Sequence, residues 1–358
     1  MTRPFSHGGT VYTAARHLGI TPEEVLDFSA SINPLGPPGG VRGAVIDAFE
    51  RVVHYPDPEA TELRESLARR HGLTPGQVCP ANGSTELIHL LPRLFPGGRA
   101  LIVAPPFSEY AAALGKAGWD IHYFLLEPAH GFALSLGDLE VRLAGGYDLL
   151  VLANPGNPTG ALIPFVQVAG LLELCAEAGT VPVIDEAFMD FCEEESAVSL
   201  VVNDGRGLVL RSLTKFYALP GLRLGYAVAA AGVIERLSGL VPPWSVGTLA
   251  QAAGVAALAD EGYRQKTLRL VAEERALLTA GMTSISGLLP YPSVANYLLV
   301  ELPGGITAAE LRARLFPRRI LIRDCSNFIG LTGRFFRVAV RGREENERLL
   351  AALAEVVG

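Results

Sequence analysis

Two hydrophobic periodicities alternate through the middle of the chain. Short apolar runs at 100–104, 149–153, 182–185 and 207–210 lack a polar face and read as strands buried on both sides. Between them, over 107–117 and 164–178, apolar positions recur at helical spacing. Strand, helix, strand in this order predicts an α/β fold with a mostly parallel sheet covered by helices on both faces. Such a sheet holds ligands beyond the carboxyl ends of its strands, so the polar residues that close these runs are the place to look for chemistry.

The C-terminal part changes pattern. A long helical stretch runs from about Gln251 through 282, followed by strand-like ANYLLVEL, a helix over 308–316, strands ILIRD and RFFRVAV, and a last helix from Glu344. This order predicts a smaller α+β domain at 251–358 beside a large domain at 46–250. The loop-rich residues 1–45, with HGGT and SINPLGPPGG, are expected to join the smaller domain.

Composition narrows the function classes. Hydrophobic residues form 49% of the chain and charged residues 19%, which supplies a sizeable core and excludes a disordered chain. The net charge of −7 provides no basic field for a nucleic-acid backbone. Cys79, Cys175, Cys192 and Cys325 are scattered without C-x-x-C or zinc spacing, which predicts free thiols in a reducing compartment and no metal centre. No apolar stretch has the length of a secretory leader core or of a membrane span, so the expectation is a cytoplasmic protein with a small-molecule partner.

Four segments carry candidate chemistry. Asn82-Gly83-Ser84-Thr85-Glu86 precedes a helical pattern, where free N–H groups and the helix dipole suit a phosphate, although the same residues make an ordinary cap. VLANPGNPTG sets Asn154 and Asn157 after a buried strand, where an amide can donate to a phenolate-like oxygen or merely shape a turn. In VIDEAFMDF, Asp185 closes an apolar strand and needs a partner there; a protonated ring nitrogen and a salt-bridging side chain both qualify. Lys215, in RSLTKF and eight residues before Arg223, is either a surface charge or an amine with a lowered pKa, able to condense with an aldehyde. In the second case Ser212 and Arg223 would share a phosphate with Ser84.

Together and in this order, the segments resemble the pyridoxal-phosphate enzymes of the aspartate aminotransferase fold (fold type I), over essentially the whole chain. Within that fold the chain resembles the branch holding the histidinol-phosphate aminotransferases and the threonine-phosphate decarboxylases. His7-Gly8-Gly9, DFSASINPLGPP, DEAFMDF, LRSLTKFYALPGLRLGY, PPWSV and ILIRDCSNFIGLTGRFFRVAVR are similar to the decarboxylases' versions of each motif.

The resemblance implies a role for each matching position. Lys215 would join the cofactor's aldehyde, Asp185 would face its pyridine nitrogen, and Asn157 would reach its 3′-oxygen. Phe107 would stack on the ring, and Gly83, Ser84, Thr85, Ser212 and Arg223 would hold the phosphate. Tyr55 would reach the phosphate in a partner subunit's site, implying a homodimer. Arg337 would take a substrate carboxylate, with Arg323 a second cation at the same end. His7, Gly8 and the loop Ser31–Asn33 would close over the substrate's own phosphate. The activity implied is decarboxylation of L-threonine O-3-phosphate to (R)-1-aminopropan-2-yl phosphate in cobalamin biosynthesis.

Two positions depart from the family pattern. Ser31 stands where asparagine is usual, and Phe188 lacks the hydroxyl that the aminotransferases direct at the 3′-oxygen.

Trp119 and Trp244 read as packing residues, and 193–195 as a solvated acidic face. Pairing with Glu301 or Glu344 is the alternative for the two arginines. Histidinol-phosphate aminotransferase is the nearest rival function. A nicotinamide dehydrogenase lacks its fingerprint, because Leu210 occupies the third glycine's place after Gly205-x-Gly207. A non-enzymatic cofactor-binding regulator would need a DNA-binding unit, for which the matched motifs leave no room.

Overall fold

The computed structural model describes residues 8–357. Its centre is a seven-stranded sheet of β1 (Val78–Ala81), β2 (Arg99–Ala104), β3 (Asp120–Leu125), β4 (Leu149–Ala153), β5 (Val181–Asp185), β6 (Leu208–Ser212) and β7 (Gly225–Val228). The spatial order is β1-β7-β6-β5-β4-β2-β3, with every pair parallel except those made by β7, which runs against both neighbours.

Side-chain alternation sorts each strand between two cores. Leu150 and Leu152, Ile184 and Val209 enter one core; Leu149 and Val151, Val183, Leu208 and Leu210 enter the other. The period of two fixes where the polar ends point. Asp185 falls on the face of Val183 and Ser212 on the face of Leu210, whereas Arg211 emerges on the opposite face with Val209.

The smaller antiparallel sheet has the order Arg323–Asp324, Phe335–Ala339, Tyr297–Glu301, Leu289–Pro290. The expected strand over 320–324 is divided. Ile320–Leu321 pairs in parallel with Leu26–Asp27, and the chain switches sheets at buried Ile322. Phe28, fully buried, anchors the early segment in the same core as Val300 and Phe336.

The long helix expected from Gln251 is also two helices, Thr248–Leu258 and Glu261–Ser284. Asp260 starts the second by accepting a hydrogen bond from the Tyr263 N–H at 2.8 Å, a local cap that hydrophobic spacing does not reveal. The first helix buries Ala253 and Ala257 in the large-sheet core beside Leu63 and Val41. Among the described residues no helix is long and apolar enough to cross a membrane.

On the Arg211 face lies a buried charge cluster. Arg211 is fully buried and donates to Glu186 at 2.9 Å and to Glu193 at 2.5 Å, with Asp190 at 3.4 Å. The expected solvated face at 193–195 is therefore corrected. Glu193 neutralises a buried guanidinium, and Glu195 accepts from the Phe165 N–H at 2.6 Å at the start of helix Phe165–Ala178. A charge this deep needs several partners, because removing one leaves the others uncompensated.

His71 borders this cluster, its Nε2 2.8 Å from the Tyr226 hydroxyl. Burial first, then the positive charge of Arg211, push its pKa from the ordinary 6.5 down to about 3. The unfolded chain therefore binds one more proton than the folded chain between those two values. Stability rises with pH across that window and is lost as pH falls through it, by up to about 1.4 kcal/mol per pH unit. His71→Gln should flatten this part of the pH dependence of the urea midpoint; an unchanged slope would remove His71 as its source.

Candidate active site

A cavity of about 410 Å³ opens where β4, β5 and β6 end. One wall is the start of helix Ser84–Leu94, whose first residues Ser84 and Thr85 line it with the orphan N–H groups of a helix N-terminus. Gly83 precedes them at φ +76°, a left-handed conformation, and a Cβ there would lie 2.8 Å from Arg223 Nη2. The helix start and the guanidinium are thus packed in contact. Ser212 completes the cup from the end of β6, its Oγ 2.7 Å from Thr214 Oγ1. Thr214 also lines the cavity, a hydroxyl the sequence reading passed over.

Lys215 sits on the short helix Leu213–Phe216 that follows β6 and faces the same space. Burial, then the positive charges of Arg337 and Arg223, lower its pKa from 10.5 to about 8, so about a tenth of it is the neutral amine at neutrality and about half one pH unit higher. Its Nζ lies 6.0 Å from the centre of the Phe188 ring, which rests edge-on against Tyr297. The wall carries no hydroxyl at Phe188, and that of Tyr297 is occupied, donating to the Gly156 carbonyl at 2.6 Å.

Asp185 lies one strand across. Burial pushes its carboxyl pKa up, while donors oppose that shift: the Tyr110 hydroxyl at 2.6 Å on Oδ2 and the Ala187 N–H at 3.0 Å on Oδ1. Tyr110 was not legible as a site residue; in sequence it is one more aromatic on an amphipathic helix. Phe107, the residue before helix Ser108–Lys116, lines the cavity and meets Tyr110 edge-on.

The two asparagines after β4 divide their work. Asn154 is fully buried and structural, donating to the Ile163 carbonyl at 2.9 Å and accepting from its N–H at 2.8 Å. Asn157 faces the cavity, and its Oδ1 accepts from Arg337, which leaves the NH2 end as the donor.

Arg337 also donates to the Ser29 carbonyl at 3.1 Å. Its direct cross-strand partner is Arg323, and both are buried and line the cavity. Arg323 donates to Asn327 at 2.8 Å. The surface pairing considered for the arginines is not what forms: Glu301 instead pairs with Arg334 at 3.1 Å.

The loop Ser31–Asn33 is only partly placed as expected. Ser31 lines the cavity, is 1% exposed, and its Oγ has no hydrogen-bond partner among the described residues. Asn33 is a correction. Its amide donates to the Phe216 carbonyl and to Thr267 at 2.8 Å each, and its oxygen accepts from the Leu35 N–H, so it braces the Lys215 helix instead of facing substrate. Gly8 lines the cavity beside Ser29, whereas His7 lies outside the described residues.

Tyr55 is outside the cavity and 78% exposed, stacked on Trp244 at 4.5 Å between ring centres. Trp244, expected to pack, does so at the surface: it is half exposed against Tyr55 and holds φ +59°. Trp119 does pack in the core. The Trp244 loop is tied to the cup, because Ser245 donates to Glu86 at 2.5 Å and Glu86 also accepts from the Asn82 N–H at 2.7 Å.

Comparison with known proteins identifies the family. Residues 23–353 match the model of the family described as aminotransferase class I and II. The threonine-phosphate decarboxylase of Salmonella typhimurium is 40% identical over 98% of this chain and 96% of its own. The adenosylcobalamin biosynthesis bifunctional protein CobDQ of Leptospira interrogans is 31% identical over 98% of this chain and 41% of its own. The crystal structure of the histidinol-phosphate aminotransferase of Clostridium acetobutylicum superposes with a TM-score of 0.87 at 28% identity, covering 93% of this chain and 99% of that one. By sequence and by fold, the chain belongs to the aminotransferase class I and II family.

Proposed function

We propose that this protein is a pyridoxal-phosphate-dependent carboxy-lyase that releases CO2 from L-threonine O-3-phosphate and leaves (R)-1-aminopropan-2-yl phosphate, in cobalamin biosynthesis. The observation that carries the reading is the pair Arg323 and Arg337, directly opposed on neighbouring strands and both buried at one end of the cavity. Two cations at one end of a cavity suit a ligand that carries two anionic groups. A substrate with both a carboxylate and a phosphate supplies them.

The residues present fit the cofactor. Its phosphate suits the Ser84 and Thr85 N–H groups, Ser212 and Arg223, and Gly83 leaves room for the guanidinium to close on it. Asp185 is buried where a pyridine nitrogen would need an anion, Phe107 offers a ring face, and Asn157 a single amide donor. When bound, the cofactor supplies an electron sink for the bond broken at the substrate's Cα.

The protein's own part is orientation and proton control. Only the bond standing perpendicular to the cofactor ring is weakened. Arg323 and Arg337, with Ser31 and Gly8, would hold the substrate's anionic groups so that the bond to the carboxylate, and not the Cα–H bond, is the one presented for cleavage. Ser31 Oγ, buried without a partner among the described residues, is a donor available to a ligand oxygen. Lys215 Nζ, with its pKa near 8, is suited to deliver a proton at Cα once CO2 has left.

Purified protein given O-phospho-L-threonine should release CO2 without consuming an amino acceptor. Transfer of the amino group to 2-oxoglutarate, with histidinol phosphate preferred as donor, would establish the aminotransferase reading instead. Lys215→Ala should lose the visible absorption of the bound cofactor along with turnover, and a retained spectrum would remove Lys215 from its role.

The same reading includes a homodimer in which Tyr55 reaches the partner's phosphate cup. Supporting it, Tyr55 belongs to an exposed apolar surface with Phe49 and Val53, beside a groove that shares Arg223 with the cavity. Tyr55→Phe should raise the cofactor's dissociation constant severalfold, while light scattering still reports a dimer. Unchanged affinity, or a monomer in the parent protein, would exclude this arrangement.

A further inference from the structure

Asp185 is hydrogen-bonded by a residue outside the assigned cofactor shell. Tyr110 is 1% exposed on helix Ser108–Lys116, and its hydroxyl lies 2.6 Å from Asp185 Oδ2. The other oxygen, Oδ1, takes the Ala187 N–H at 3.0 Å. Each oxygen therefore has one donor and retains lone-pair capacity for a third, approaching from the cavity. The remaining groups facing the pair are Lys215, which is cationic when protonated, and Tyr297, whose hydroxyl is occupied by the Gly156 carbonyl.

We propose that Tyr110 is a positioning residue that keeps Asp185 anionic and correctly turned, so that the proton between the carboxylate and the cofactor's ring nitrogen stays on the nitrogen. The proposal rests on the cofactor reading above.

The reasoning is a competition for one proton. Burial alone drives Asp185 toward its neutral acid. A neutral acid facing the ring would donate its own proton in a hydrogen bond and leave the ring uncharged, a weaker electron sink. A phenol at 2.6 Å opposes this, because it donates to a carboxylate far more favourably than to a carboxylic acid. Burial also holds the Tyr110 hydroxyl well above its ordinary pKa, so it remains the donor. A purely packing role would need only the ring, which meets Phe107 edge-on at 5.8 Å with or without the hydroxyl. One side chain thus supports the stacking ring and also sets the charge state of the acid beneath the heterocycle.

The test uses protein loaded with pyridoxal phosphate carrying 15N at the ring nitrogen. In the parent protein the nitrogen resonance should report a protonated ring. In Tyr110→Phe it should move toward the unprotonated value, with about a tenfold rise in the cofactor's dissociation constant, equivalent to about 1.4 kcal/mol, and the fold retained by circular dichroism. Tyr110→His, which returns a ring N–H to the same region, should recover part of both effects. If the Phe variant does not fold, Tyr110→Leu, which also lacks the hydroxyl, is read in its place: a nitrogen moved toward the unprotonated value supports the proposal and a fully protonated ring overturns it.

A Phe variant with a fully protonated ring and parental affinity also overturns the proposal. An unprotonated ring in the parent protein instead sinks the assignment of Asp185 to that nitrogen, and the proposal with it.

Discussion

A negative charge at the end of an apolar strand is the constraint around which the rest of the site is arranged. Asp185 is 5% exposed and follows Val183 and Ile184, both fully buried. Left alone there it would take up a proton. The fold surrounds it with the Tyr110 hydroxyl, the Ala187 N–H and the charge of Lys215, each delivered by a different segment. Those segments are held in register by the parallel pairing of β2, β4, β5 and β6, which sets Ile102 opposite Val151, Ala153 opposite Asp185 and Asp185 opposite Leu210. A slip of one residue in β5 would carry the carboxylate to the other face of the sheet, among Arg211, Glu186 and Glu193.

That other face is not passive. Glu186 and Arg211 are chain neighbours of Asp185 and Ser212, and their fully buried ion pair at 2.9 Å joins the ends of β5 and β6 from behind. Apolar residues would pack these strands as well, yet would leave their relative register less strictly determined. The charged cluster and the cavity are two sides of one junction.

How much of this was legible in the sequence depended on whether the signal was local. The strand runs and the helices over 107–117 and 164–178 came from periodicity, and the structure has them as Ser108–Lys116 and Phe165–Ala178. Lys215, Asp185, Arg223 and the Ser84 helix start were visible because their residue types are unusual where they stand. Asn33 was misassigned because nothing local tells an amide facing substrate from one bonded to Phe216 and Thr267, far away in sequence. Tyr110 was missed for the same reason, since its partner lies 75 residues further on. The break at Asp260 and the sheet switch at Ile322 are likewise tertiary facts, decided by one capping bond and by which neighbour offers a free edge.

The bond between Asn157 and Arg337 has a consequence of its own. One amide is held at its oxygen by a guanidinium from the small sheet, and its nitrogen end is turned toward the large-sheet cavity. Any carboxylate that draws Arg337 toward itself competes with that amide and loosens it. On the proposed reading, a bound carboxylate would thus alter the grip on the very amide meant for the ring's 3′-oxygen, so an empty pocket and a filled one would offer that oxygen a different donor.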